Sequence, residues 1–449
     1  MTPRSGWLND WNPEDEDAWA AGGHKVARRN LIYSVASEHV AFSVWTLWSV
    51  LALFMPPEDI TPSQKFLLVT TPTVVGALLR LPYSHAVTRV GGRNWTVLAT
   101  ALLLVPTALA VFFVQRPGTP LWVLVAVAAV AGVGGGNFAS SMTNITAFYP
   151  QRHQGWALGL NAGGGNLGVA VVQLLGLAVV ALAGVRHPAY VAIVYLPVII
   201  VTALLCGRYM DNAAAVRTAP GALREAARDR DTWLISGLYV GTFGSFIGYA
   251  FAFGLVLQSQ FGATPMQAVS YTFLGPLLGS FSRPFGGWLA DRLGAARVTF
   301  WTFLAMGAGT GLLILAAHHR QFGLFVAGFT VLFVLTGMGN GSTYKMIPAV
   351  FAEKAERQVT GGADAADAFA RQRRLAGAVV GIAGAIGALG GAAVNVAFRF
   401  SYSGHHASGI PAFAVFIGYY AACMVLLRAV YLSRRPTAQD APDQEPVRV

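Results

Sequence analysis

Charged residues are scarce in this sequence. Asp, Glu, Lys and Arg make up 11% of 449 residues, where a soluble globular chain carries about a quarter. That shortage excludes an ordinary water-soluble domain. Acidic residues are the rarer sign, 20 against 31 Lys and Arg, and the net charge is +11. Nucleic acid is excluded as the partner, because the cations are spread over alternate loops and form no patch. Only two cysteines occur, Cys206 and Cys423, both in or beside apolar runs. Neither a disulfide framework nor a metal site fits that count and spacing, and no cofactor is expected. No nucleophile–base pair or metal cluster falls within the apolar runs, which excludes an intramembrane enzyme. The first 30 residues hold Trp7, Trp11, Trp19 and the acidic run Glu14–Asp17 but no short apolar core with a cleavage site. They are read as a tail and not as a signal peptide.

Apolar residues are abundant: 55% of the chain, with 51 Gly and a mean hydropathy of +0.53. Runs long enough to cross a bilayer recur throughout. The expected fold is an all-α membrane protein with twelve transmembrane helices, at 31–55, 66–89, 94–115, 120–148, 156–184, 188–208, 232–258, 268–291, 297–318, 322–351, 375–399 and 410–433. Lys65, Arg116, Arg186, Arg320 and Arg399 lie in one set of loops; Arg80, Arg283 and Lys345 fall inside spans; nearly all other cations lie on the opposite side. The positive-inside rule then puts both termini in the cytoplasm, with the chain a multi-pass monomer in the lipid bilayer of the plasma (inner) membrane. The organisation expected is a tail at 1–30, a six-helix half at 31–208, a linker at 209–231, a second half at 232–433 and a tail at 434–449, read as disordered. A cytoplasmic insert at 352–374 is read as a short amphipathic helix.

The halves repeat. Gly76-x-x-x-Arg80, followed by Arg89 and Gly91, returns as Gly279-x-x-x-Arg283, followed by Arg292 and Gly294, at a separation of 203 residues. Gly134-Gly-Gly-Asn137 returns as Gly337-Met-Gly-Asn340 at the same separation. Halves repeated in the same direction imply a parallel pseudo-two-fold arrangement, with a site near the midplane between them. If Gly91 and Gly294 end their helices, each arginine lies about 16 Å inward at 1.5 Å per residue, near the middle of the bilayer core. An arginine there is a candidate functional residue. The one acidic residue well inside a span is Glu38, too little to neutralise both, so Arg80 and Arg283 are expected to face an anionic substrate. Two permanently charged planar forks suit a small flat monoanion: nitrate, nitrite, bicarbonate or a carboxylate. Phe138, Tyr239 and Phe243 are candidate walls, the last two sharing a helix face, and Asn166 is a polar candidate amid glycines. Lys345, nearer the cytoplasmic end, is read as snorkelling, with a gating role as the alternative. Glu38, beside His39, is read as pairing with loop arginines, with proton carriage as the alternative.

The turn Asp291-Arg292-x-Gly294-x-x-Arg297 resembles the loop motif of major facilitator proteins, in which charges clamp one helix end to the next; the first copy has Thr88 in place of the acid. The string Gly134-Gly-Gly-Asn-Phe-Ala-Ser-Ser-Met-Thr-Asn-Ile-Thr-Ala-Phe-Tyr-Pro150, the Gly159–Gly168 run, Gly384-Ala-Ile-Gly-Ala-Leu-Gly-Gly391 and the two arginines resemble the nitrate/nitrite porters of the major facilitator superfamily. The resemblance covers 31–433. It implies the major facilitator fold, nitrate and nitrite as substrates, and binding by Arg80 and Arg283. It also implies site roles for Asn166, Phe138, Tyr239, Phe243 and the Gly381–Gly391 run, which here has no hydroxyl for direct contact. Family members include nitrate/nitrite exchangers and nitrate–proton symporters. Two permanent cations with no mid-membrane carboxylate reset poorly when empty, which favours exchange. Symport is the alternative, and an anion sensor without flux is a further one.

Overall fold

A computed structural model describes residues 7–214, 221–403 and 408–433. Among these, eleven helices are long and apolar enough to cross a membrane: Glu16–Phe54, Pro62–Val90, Gly92–Val114, Leu121–Phe148, Gln151–Ala183, Ala189–Tyr209, Arg230–Phe261, Ala295–His318, Phe322–Thr360, Ala365–Ser401 and Ile410–Leu432. The twelfth stands where the eighth span was expected, as Pro265–Thr272 continued by Leu274–Leu293. It is less apolar because Gly, Pro, Ser and Arg283 interrupt its hydrophobic residues. Counted with it, the helices are numbered first to twelfth in chain order.

The two arginine helices are framed by the same local chemistry. Thr61 and Gln64 form a capping box with Pro62 at the first helical position, and Thr264 and Gln267 do the same with Pro265. Each box satisfies orphan N–H groups at the helix start. At the other end the helices stop at Gly91 (φ 95°) and Gly294 (φ 88°), in backbone that disfavours any side chain. The helix ends from which the arginines' depth was reckoned are therefore where the sequence put them. Packing obeys the same repeat. The second helix lies on the fourth within its half and on the eleventh across the interface; the eighth lies on the tenth and, across the interface, on the fifth. Adding six to each number of the first pattern, counting on from the twelfth to the first, gives the second, as a parallel pseudo-two-fold requires.

Cross-half contacts gather at the end where the second and eighth helices begin. Phe66 stacks on Phe398 at 5.8 Å and on Tyr402 at 5.5 Å. Gln258 donates to the Leu53 carbonyl at 2.9 Å, and Gln173 to that of Ala250 at 2.9 Å. At the opposite end Arg373 bonds Gln151, and Arg371 pairs with Glu225 of the linker.

Two features differ from expectation. The segment 352–374 holds no separate helix: the tenth helix runs on to Thr360, a short turn follows, and the eleventh begins at Ala365 under an Asp364 cap. Continuing two existing helices leaves fewer unpaired backbone groups than starting a new one. The stretch before residue 31 is built into the body: Trp7–Leu8 pairs in parallel with Asn212–Ala213, Trp11 donates to the Ala147 carbonyl at 3.0 Å, and the helix is under way from His24. The tail at 434–449 lies outside the described residues.

Candidate anion site

Arg80 is fully buried. Its Nη1 donates to the Gly384 carbonyl of the eleventh helix at 2.5 Å, and its Nε to the Gly135 carbonyl of the fourth at 3.3 Å. The guanidinium lies over Phe138 at 4.6 Å, Phe243 at 5.1 Å and Trp45 at 5.9 Å, an aromatic surround suited to a cation. An added Cβ at position 384 would meet Arg80 Nη1 at 3.4 Å, an ordinary contact, so the approach does not depend on the glycine. Arg283, also buried, has a longer contact, Nη2 to the Tyr239 hydroxyl at 3.5 Å, and lies 5.6 Å from the Tyr344 ring. Among the described residues neither arginine forms an ion pair. Arg80 Nη2 and Arg283 Nη1 are buried without a hydrogen-bond partner in the protein. A buried charged donor in that condition is strongly disfavoured unless an acceptor reaches it.

The aromatics come together as the sequence suggested. Tyr239 and Phe243 stack at 5.1 Å and 7°, and Phe243 stacks on Phe138 at 6.1 Å. A π-helical turn, Val240–Gly244, interrupts the seventh helix between the two rings. Gly387 lies against Tyr239, where a Cβ would fall 2.6 Å from Cδ1. Asn166 is fully buried on the fifth helix, and both amide atoms lack a partner; no bond joins it to either arginine.

Two expectations are corrected. Glu38 pairs with no loop arginine. It is fully buried between the first, fourth and fifth helices, where Oε2 accepts from Ser141 Oγ and, at 2.6 Å, from Asn161 Nδ2. It lies within electrostatic reach of both Arg80 and Arg283. A buried acid therefore lies within electrostatic reach of the pair, contrary to the premise that favoured exchange. Lys345 does not snorkel freely: Nζ holds Asp291 Oδ2 at 2.8 Å, with both side chains about half exposed, tying the tenth helix to the Gly294 end of the eighth. Arg292 lies over Trp288 at 4.2 Å on its own helix. Neither arginine has Lys345, Asp291 or Arg292 among its hydrogen-bond partners.

Trp45, Tyr344 and the Gly384 carbonyl were missed. Tyr344 had a signal, since it stands 203 residues after Ser141, inside the repeated string. A backbone acceptor from another half had none. Chemically, the arrangement offers two partly unsatisfied planar cations, an aromatic wall and a tight glycine surface, fit to hold one small flat anion. The described pocket of about 380 Å³ lined by Arg228, Lys354, Arg371 and Gln372 lies elsewhere, at the linker, and its cations are largely paired already.

Comparison with known proteins agrees with this chemistry. The sequence model of the Major Facilitator Superfamily matches residues 40–395. The nitrate/nitrite transporter NarU of Salmonella typhimurium is 37% identical, covering 96% of this chain and 97% of that protein. NarU of Escherichia coli is 36% identical over 95% and 96%. The probable nitrate/nitrite antiporter NarK2 of Thermus thermophilus is 33% identical over 81% and 87%. Among solved structures, the D-xylose-proton symporter gives a TM-score of 0.65 at 14% identity over 89% of this chain and 96% of that one, a likeness of fold alone.

Proposed function

The chain belongs to the major facilitator superfamily and, within it, to the nitrate/nitrite porters, and from that premise we propose that it exchanges external nitrate for internal nitrite. It is a multi-pass membrane transporter, not an enzyme. In this reading the anion lies between Arg80 and Arg283, with Phe138, Phe243 and Tyr239 as the wall and Asn166 as a further polar contact. The halves 31–208 and 232–433 rock about the site, exposing it in turn to each side. Both termini face the cytoplasm, and the membrane is the inner one.

One observation carries the reading: each half supplies one buried guanidinium, and each guanidinium keeps one nitrogen without a protein acceptor. Nitrate and nitrite are both flat monoanions with oxygens spaced for forked donors. Exchange draws support from this shared fit, since either anion can occupy the site on either side, and from the likeness to a relative described as an antiporter. A second reading, nitrate–proton symport, has the buried Glu38 beside the pair in its favour. Counterflow in proteoliposomes separates them. Labelled nitrate should enter only vesicles preloaded with nitrite or nitrate, at equal pH on both sides. Uptake into anion-free vesicles that follows an imposed pH gradient would overturn exchange in favour of symport.

A further inference from the structure

Glu38 is a buried acid that the anion site does not use. Its Oε2 is saturated by Ser141 and Asn161, and Asn161 Nδ2 also reaches Ser141 Oγ at 2.8 Å. Its Oε1 is buried with no partner. The fifth helix lies directly on the carboxyl: a Cβ at Gly165 would fall 2.6 Å from Oε1. The charged groups facing it are Arg80 from the second helix and Arg283 from the eighth, with the Tyr344 hydroxyl from the tenth. His39, next in the chain, turns its ring to the Gly164 carbonyl at 3.1 Å. The fourth and fifth helices otherwise present only the neutral Ser141 and Asn161.

Charge counting gives this cluster a consequence. With an ionised Glu38 the centre holds two cations and one anion. A monoanion arriving between the arginines meets a carboxylate already sharing their field, and like charges in one buried site do not both ionise readily. We propose that Glu38 is the arginine pair's own counter-charge and takes up one proton, at Oε1, when the transported anion binds. The step balances: carboxylate, one proton from solvent and one nitrate give carboxylic acid and bound nitrate, with the net charge of the centre unchanged. Ser141 and Asn161 keep their bonds to Oε2 throughout. In exchange, the proton travels with the anion in both directions; in symport, it would be the coupled ion. The inference rests on the reading that Arg80 and Arg283 hold the anion.

The test uses the purified full-length protein. Nitrate affinity is measured between pH 5.5 and 8.5, and proton uptake on nitrate addition is followed with an indicator in weak buffer. Affinity should weaken as pH rises, by up to about tenfold per unit where one proton binds per anion, and the medium should turn alkaline. Glu38→Gln should bind nitrate with a flat pH profile and take up no proton, whereas His39→Asn should behave as wild type. A flat wild-type profile without proton uptake overturns the proposal whether or not any variant folds. So does an unchanged slope in Glu38→Gln, or a slope lost in His39→Asn. Undiminished nitrate binding in Arg80→Lys would instead overturn the anion site, so the two failures are distinguishable.

Discussion

Arg80 and Arg283 occupy equivalent positions in helices with the same caps and the same terminal glycine, yet they are held differently. Arg80 is fastened by two carbonyls, one from its own half and one from the other, and lies among three aromatic rings. Arg283 has one long contact to a tyrosine hydroxyl. The helix ends at Gly91 and Gly294 differ as well. The second half is latched by Lys345 and Asp291, whereas the first has Met142 and Thr88 at those positions. The first half is held instead by the segment before it, through Trp11 to Ala147 and Arg152 to Glu16. A duplicated sequence thus yields one arginine fastened by two carbonyls and one held by a single long contact. The acid near them is also one-sided: Gly241 stands 203 residues after Glu38.

The most severe way to test this contrast is to replace each arginine by lysine. Both variants should lose nitrate uptake by at least about 100-fold, since charge-assisted fork bonds of roughly 1.5–3 kcal/mol each disappear. Only Arg80→Lys should also lower the melting temperature, because it alone surrenders two carbonyl bonds. Equal melting temperatures by scanning fluorimetry would erase the distinction.

Gly387→Ala comes next. Its Cβ would strike the Tyr239 ring, an overpacking of about 1–3 kcal/mol that should cut uptake about tenfold. Gly381→Ala, whose Cβ meets nothing within 4 Å, should transport normally. If initial rates rank these two the other way, the wall is misassigned.

Tyr239→Phe sharpens the comparison more gently. It removes the hydroxyl contact of Arg283, about 0.5–1.5 kcal/mol, and should raise the KM for nitrate a few-fold with no change in melting temperature. An unchanged KM would mean that Arg283 needs no tether. The smallest effect is expected from Asp291→Asn. A pair this exposed contributes about 0.2–1 kcal/mol and is screened by salt. Turnover should shift by less than about threefold, and high salt should abolish the difference. A larger or salt-resistant loss would make the latch essential.

Much of the fold was legible because the membrane imposes it. Apolar runs, the bias of Lys and Arg between loops, and paired arginines eleven residues before a glycine give spans, halves and depth without any contact information. The segment 352–374 misled because a charged stretch with Gly361-Gly362 reads equally as a separate helix or as two extended ones. The aromatics were legible by helix face and by the resemblance to the family. Glu38 was not, since hydropathy reports that an acid is inside a span but not which neighbours it meets.

By itself, then, the sequence determined a twelve-helix transporter of duplicated design, one arginine per half at mid-depth, and a small flat anion as cargo. Tertiary structure alone decided which of the few polar groups meet. Arg80 reaches a carbonyl 304 residues away, and Glu38 a serine and an asparagine 103 and 123 residues away. The reason is physical. Each membrane helix satisfies its own backbone, so local pattern suffices to form it. The lateral order and rotation of helices come from close packing of small residues between them, and that packing is a property of the assembled bundle.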